Sequence, residues 1–522
     1  MSKEQWAEAA KERDLKGGVP VSAKVGKANV MLVRVGGRIC ACGHECTHYG
    51  GPLSEGLLVG NVITCPWHNA RFDVRDGKMV AAPALDDLVS HPVKVENGAV
   101  FIGPARSPGP PTIGVGDKRT FVIVGAGAAG NACAETLRQE GFGGRILLIT
   151  AEMDGPYDRP ALSKDFMAGE LSRKSLPLRR ADFYETRSIE LLTGSCVTEL
   201  DAGARTVSFS DGSSVKFDCA LLATGGIPRK ADIPGANLAS FFLLRSLGDA
   251  EAITDGVAEA ERVVILGAGF IGMEAASSLA SRGLEVHVVA PGRAPMEKVF
   301  GEQIGKWLQR LHEENGVRFY LGNTARAVSG KGKVQEVVLA DGSRIVTDAV
   351  VAGLGIVPAV DYIRDAGLVE NGAVPVNARL QTKAEGVYAA GDIAVVPDRH
   401  TAEPQRVEHW VVAERQGQHA AKAMLGSDAV YSEVPFFWTR QFGTSVKYAG
   451  FARQYDKLAV RGSIEAGDFL AGYYSGGRMK AVSGVGRAQE FIALCEILKA
   501  GRTVGPEELQ DEGVDLRGLI SA

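Results

Sequence analysis

Two stretches constrain this chain more than anything else in it: "TFVIVGAGAAGNACAETLRQEG" at 120–141 and "ERVVILGAGFIGMEAASSLASRG" at 261–283. Each is an apolar strand, a glycine-rich turn and an amphipathic helix, and the two lie about 140 residues apart. A lone G-x-G-x-x-G means little, but two in strand–turn–helix context read as a duplicated, doubly wound nucleotide-binding unit. In the first, Gly125, Gly127 and Gly130 let a pyrophosphate sit on a helix N-terminus, and "RILLIT" delivers Glu152 about twenty residues on as the ribose carboxylate. In the second, Gly267, Gly269 and Gly272 take the same parts. There "EVHVVA" ends at Ala290, where an NADH-selective site usually carries an acid, and Arg293 follows three residues later. A missing carboxylate with an arginine nearby tolerates a 2′-phosphate; an arginine pointing into solvent is the equal alternative. NADH or NADPH therefore stays open at this point.

At 522 residues the chain is too long for one core. Residues 20–102 carry short alternating strands such as "NVMLVRV", "RICAC" and "HPVKVENGAVFI", the pattern of a small all-β domain placed at 1–103. Residues 104–118, "PARSPGPPTIGVGDK", read as a linker of at most about 50 Å extended. The first nucleotide-binding domain is expected over 119–245, the second over 246–358, a return to the first over 359–431, and a small α+β domain over 432–522. That last domain shows strands around "VPFFWTRQFG" and a last helix near "AQEFIALCEILKAG". A net charge of −4 without a basic run argues against nucleic acid as a partner. The sequence contains no membrane-span-length apolar stretch, and its charged opening lacks the core of a secretory signal. Of eight cysteines, four cluster (Cys40, Cys42, Cys46, Cys65) and four scatter, which suits a reducing cytoplasm with one metal site better than a disulfide framework. A homo-oligomer is an allowed assembly.

The clustered cysteines sit in "CACGHECTHYGGPL" (40–53) and "CPWH" (65–68), so two Cys-x-His tripeptides compete for one upstream role. Structural zinc sites favour Cys-x2–4-Cys and His-x3–5-His spacing. Here each half supplies one Cys and one His, as a Rieske [2Fe–2S] centre demands, with two cysteines on one iron and two histidines on the other. Cys46-Thr47-His48 is followed by "YGGPL", which forces a tight turn and lets backbone N–H groups approach cluster sulfurs. Cys42 and His44 are followed only by "EC", and Cys40 and Cys42 alternate along an apolar strand, where buried structural cysteines are expected.

"CTHYGGPL" and "CPWHNARFD", with sixteen residues between His48 and Cys65, resemble the two ligand loops of the Rieske family. The resemblance implies Cys46, His48, Cys65 and His68 as ligands. Respiratory relatives carry an extra cysteine in each loop and Ser and Tyr donors to the sulfurs; here Gly51, Trp67, Ala70 and Phe72 stand at those positions. Without those donors the reduced cluster is less stable, so a potential near the low end of the range, about −150 mV, is expected.

"GPYDRPALSKDF" (155–166), "ATGGIPR" (223–229), "GLGIVP" (353–358), "VYAAGDIA" (387–394), "EHWVVAERQG" (408–417) and "FFWTRQF" (436–442) resemble the flavin-dependent ferredoxin reductases of oxygenase systems and the apoptosis-inducing-factor family, in its Rieske-fused form. The resemblance implies bound FAD held by Glu152, Arg159 and Asp392, with His409 and Trp410 beside the flavin. It also implies a Lys164–Glu274 pair near the reactive nitrogen and Trp438 covering the ring. A dithiol flavoenzyme would need paired cysteines after the first fingerprint, and Cys133 stands alone there. The expected activity is an NAD(P)H-dependent reductase with a fused Rieske ferredoxin, passing electrons to an external oxygenase or cytochrome. The alternative is a redox-responsive signalling protein with slow NADH oxidation.

Overall fold

The computed structural model describes residues 6–401 and 403–520; the first five residues and the last two of the outer domains lie outside it. In the N-terminal part, apolar alternation does what a period of two requires. Strand β1 (Ala28–Val35) pairs antiparallel with β2 (Arg38–Gly43) and is a wall between two cores. Its Met31 and Val33 face the core that contains Cys46 and Cys65. Val30 and Leu32 face the opposite core, with Ala41, Val100 and Ile102. A second small sheet contains β3 (Val62–Thr64) and β4 (Arg71–Asp73), joined by the hairpin loop that carries Cys65 and His68.

One strand escaped the sequence reading, which begins at residue 20. Ala7–Lys11, "AEAAK", pairs antiparallel with Ala99–Ile102. Its alanines and charges carry helix rather than strand propensity, and only the partner strand makes it extended. The Pro/Gly segment behind this domain forms no helix or strand over 107–117. It is pinned at both ends: the Arg106 N–H donates to the Ser90 carbonyl at 2.8 Å, and the Gly114 N–H donates to the Gly141 carbonyl at 2.9 Å.

The duplication is explicit in the topology. Strand β5 (Thr120–Val124) leads into helix α1 (Ala128–Gln139) and strand β6 (Arg145–Ile149), within a five-stranded parallel sheet. Strand β7 (Arg262–Leu266), helix α2 (Phe270–Ser281) and strand β8 (Glu285–Ala290) repeat it in a second five-stranded parallel sheet. In both sheets the fingerprint strand lies between the strand that follows it and one that returns much later: Cys219–Leu222 beside β5, Ala349–Ala352 beside β7. Helix α3 (Trp410–Met424) returns to the first unit and packs tightly on α1, where a Cβ on Gly417 would lie 2.1 Å from the Ala129 carbonyl oxygen.

The C-terminal part is a five-stranded antiparallel sheet containing β9 (Phe436–Gln441) and β10 (Thr444–Gly450), covered by α4 (Ala488–Lys499). The chain does not end at that helix, as the sequence reading had it. A short helix α5 (Pro506–Gln510) follows and buries Leu509 under the sheet. Five residues carry too little apolar periodicity to be read as an element.

Candidate cofactor sites

The two loops of the N-terminal domain are built alike. The Cys46 N–H donates to the Gly51 carbonyl and Gly50 N–H returns to the Cys46 carbonyl, at 2.9 and 2.8 Å. In the second loop the Cys65 N–H donates to the Ala70 carbonyl and Asn69 N–H returns to the Cys65 carbonyl, at 2.8 and 3.3 Å. The fourth residue after each cysteine has a left-handed backbone, Gly50 at φ 75° and Asn69 at φ 63°, which glycine and asparagine tolerate best. The Cys46 and Cys65 thiols share one core, and their mutual influence moves Cys46 upward and Cys65 down to about 7. The His48 and His68 Nδ1 atoms lie 3.1 Å apart. Two cysteines and two histidines, one of each from either loop, are the donor set that suits a Rieske cluster.

Cys42 and His44 point elsewhere. The Cys42 thiol donates to the Val74 carbonyl at 3.2 Å, and His44 Nε2 meets Ser54 Oγ at 2.7 Å. Ala70 and Phe72 are fully buried, and neither side chain has a hydroxyl to offer the loops.

At the two fingerprints the three glycines divide the work. Gly125 and Gly267 have φ of 107° and 104°, a turn closed to other residues. A Cβ on Gly130 would lie 1.8 Å from the Gly125 carbonyl oxygen, and one on Gly272 2.0 Å from that of Gly267, so helix and strand could not approach. Gly127 and Gly269 face open space instead, leaving the cradle a phosphate needs. Helices α1 and α2 begin there with no side-chain cap and no acid in the first turn. The helix Leu247–Gly256, by contrast, is closed by a Ser246–Asp249 capping box. Uncapped N–H groups with an open glycine in front accommodate a dinucleotide pyrophosphate.

Around the first fingerprint, Glu152 is oriented by Arg159 and by the Tyr157 hydroxyl, both at 2.6 Å. Asp392 accepts from Arg245 at 2.9 Å. His409, at the start of α3, stacks on Phe437 at 3.9 Å, and burial lowers it to about 3, a neutral imidazole at any working pH. Glu414, one turn beyond Trp410, has a buried oxygen without a partner, and burial holds its carboxyl well above the usual range. At the second fingerprint Ala290 is buried, while the 73% exposed Arg293 side chain donates to Glu297 at 2.8 Å and lies 3.3 Å from Glu302.

Between the two fingerprints, Lys164 and Glu274 pair at 2.8 Å in a buried setting. Glu274 also accepts from Ser163 at 2.5 Å and from Thr439 of β9 at 2.7 Å. One residue back on β9, Trp438 carries the N-terminal domain: its ring lies 4.0 Å from that of His68 and 6.1 Å from that of His48. Tyr49 donates to Asp158, and burial raises that carboxyl to about 6. Burial, then the neighbouring charges of His48, Lys447, Lys164 and Arg440, pushes His68 well below the usual imidazole range.

The residues that seat this domain were not foreseen from the sequence. Arg415 of α3 donates to the Asn69 carbonyl and side chain at 2.6 and 2.9 Å and to the Ala82 carbonyl at 3.2 Å. Glu433 accepts from Arg71 and lies 3.5 Å from Arg415 and 3.3 Å from Lys499; against the pull of burial, these cations hold its carboxyl far below the ordinary range. Arg179 ties Asp86 of the N-terminal domain to Glu135 of α1, at 2.7 and 2.5 Å. Lys447 donates to the Pro66 carbonyl. Isolated charged residues carry no periodicity, so nothing in the sequence separates them from solvated ones.

Residues 5–92 match the Rieske [2Fe-2S] domain, residues 119–417 the pyridine nucleotide-disulphide oxidoreductase family, and residues 436–520 the reductase C-terminal domain. Apoptosis-inducing factor 3 of Homo sapiens is 35% identical over 515 residues, covering 95% of this chain and 84% of that protein. The ferredoxin–NAD(+) reductase subunit of the benzene 1,2-dioxygenase system of Pseudomonas putida is 34% identical over 77% of this chain and 97% of its own length. Among solved structures, the covalent putidaredoxin reductase–putidaredoxin complex superposes with a TM-score of 0.74 at 32% identity, over 78% of this chain and 99% of that one.

Proposed function

This chain belongs to the pyridine nucleotide-disulphide oxidoreductase family, with a Rieske domain in front, and we propose that it passes electrons from NAD(P)H through FAD to its own [2Fe–2S] cluster and on to an external protein such as an oxygenase or cytochrome. It is an FAD-dependent oxidoreductase of the ferredoxin-reductase kind. The observation that carries the proposed order is the contact of His68 with Trp438, at 4.0 Å. It puts the imidazole pair of the N-terminal domain against the residue expected to cover the flavin. Bound FAD accepts a hydride and releases electrons singly, which a one-electron cluster requires.

The chain's own residues bind, orient and screen. Glu152, fixed by Arg159 and Tyr157, presents a carboxylate to the ribose. Lys164, held by Glu274, supplies a positive charge at the junction of the two nucleotide units. Trp438 excludes water between His68 and the interior. Nothing here asks for dithiol chemistry: Cys133 is fully buried with its sulfur 3.9 Å from that of Met424. Among the described residues no helix is long and apolar enough to cross a membrane.

Anaerobic mixing with NADH tests the order. Flavin bleaching followed by the EPR signal of the reduced cluster, and rapid reduction of an added one-electron protein acceptor, is the expected result. A bleached flavin with a cluster that stays oxidised overturns it. Slow flavin reduction ending in a long-lived charge-transfer band favours the signalling alternative, which the human relative's name brings into view.

Nicotinamide preference follows from two features. With Ala290 in place of an acid, the ribose loses a bidentate partner and a 2′-phosphate loses a repulsion, so discrimination is expected within about tenfold, about 1.4 kcal/mol. Arg293 is already paired with Glu297 and Glu302, which tilts the balance toward NADH. Steady-state kinetics should show Ala290→Glu moving preference further toward NADH. Glu297→Gln with Glu302→Gln should free Arg293 and improve kcat/KM for NADPH alone; no change for NADPH would remove Arg293 from the phosphate site. The flavin is expected to be non-covalent: acid precipitation should release FAD into the supernatant, and colour retained on the pellet would count against it.

A further inference from the structure

Trp438 and Lys447 are direct cross-strand partners on β9 and β10, so they stand side by side on one face of the sheet. Both touch the second loop of the N-terminal domain. The Trp438 ring lies 4.0 Å from His68, and the Lys447 ammonium donates to the Pro66 carbonyl. Arg415 grips the next residue, Asn69, through its carbonyl and side chain. Three points of the loop, Pro66, His68 and Asn69, are thus held from the reductase side. Among the described residues Lys447 has no carboxylate within 4.0 Å, whereas Lys164, Arg71 and Arg415 all have one. Its one hydrogen bond among the described residues is to the loop, at the Pro66 carbonyl. That loop lacks hydroxyl donors of its own, since Ala70 and Phe72 are fully buried and apolar.

We infer that Lys447 tunes the cluster from outside its domain, so that seating of the Rieske domain on the reductase and reduction of its cluster reinforce each other. The inference rests on the ligand set proposed above. Reduction adds one negative charge to the cluster, and a half-buried cation bonded to the carbonyl of Pro66, the residue after Cys65, stabilises that charge in a medium less polar than water. The stabilisation exists only while the domain is seated, because Lys447 belongs to β10. Linkage makes the effect reciprocal: whatever factor seating contributes to reduction, reduction contributes to seating. Residues 107–113, between the Arg106–Ser90 and Gly114–Gly141 anchors, allow an excursion of about 25 Å at full extension, so release and return are short-range events.

The test is a mediator-driven spectroelectrochemical titration of the cluster in the full-length holoprotein, without nicotinamide, so a failure of NADH-driven transfer leaves it untouched. Lys447→Met is expected to weaken the reduction equilibrium about tenfold, a shift of about 59 mV for one electron. Lys447→Arg should stay within twofold of the parent. Lys447→Gln, which keeps a donor for the Pro66 carbonyl, should behave like Met. A less than twofold change in Lys447→Met with an intact cluster spectrum overturns the inference, as does a parent-like potential in Lys447→Gln. The parent protein supplies a second reading that needs no variant. Protease cleavage within 107–113 should be slower after dithionite reduction than in the oxidised protein, and equal rates in the two states overturn the coupling.

Discussion

Replacing Cys46 by serine will abolish the visible and EPR spectra of the cluster, whereas Cys42→Ser and His44→Ala will leave both intact. The contrast is the largest expected here, because two nearly identical tripeptides four residues apart have opposite fates. Cys46 stands at the same point of its loop as Cys65 does, with its N–H and carbonyl closing the same pair of backbone hydrogen bonds and a left-handed residue four positions on. The serine keeps that backbone and removes only the sulfur. Cys42 is a side chain of β2, directed into the core where its thiol meets the Val74 carbonyl. Removing the His44 ring forfeits one hydrogen bond, to Ser54, worth about 1 kcal/mol. Iron content and EPR of the purified variants decide the matter. A spectrum lost in His44→Ala but kept in Cys46→Ser would move the ligand set one tripeptide upstream.

Lys164→Met is expected to destabilise the reductase by about 3–5 kcal/mol and to slow flavin reduction by NADH. The reason is what the substitution leaves behind. Glu274 is only 4% exposed and would be left with the Ser163 and Thr439 hydroxyls as its remaining partners. An uncompensated buried carboxylate costs far more than the ion pair contributed. Adding Glu274→Gln to Lys164→Met should recover most of the lost stability, because the amide oxygen still accepts from Thr439 while the amide N–H donates to the Ser163 hydroxyl. It should not recover the rate, since the positive charge is still missing. Denaturant midpoints and stopped-flow flavin bleaching separate the two effects. Recovery of both in the double variant would make Lys164 a structural residue only.

Strand–glycine–helix periodicity made both nucleotide-binding units legible, because a turn that needs left-handed glycine and close helix packing leaves few residues free to vary. The small sheet domain was legible through strict alternation, as in β1, which feeds two cores from alternate positions. Ala7–Lys11 and α5 were not legible, the first because its composition favours another state, the second because it is too short to show a period. Folding pairs Lys164 with Glu274, Glu152 with Arg159 and His48 with His68, whereas Asp392 meets Arg245, a partner that no motif named. Arg293 lies at the exposed surface, as one of its two readings had it, and is paired there with Glu297 and Glu302.

By itself, then, the sequence carried the local chemistry: which cysteines and histidines occupy equivalent loop positions, where two glycine turns precede helices, and that Cys133 stands alone on the first fingerprint helix. Those properties are local, written within a few residues of each motif. Only the tertiary structure decided how the parts meet. Arg415 on Asn69, Glu433 beneath Arg71, and Lys447 with Trp438 on the loop of His68 join residues more than 300 positions apart. No pattern along the chain marks such pairs, because a lone charge or ring acquires its meaning only from what folding places against it.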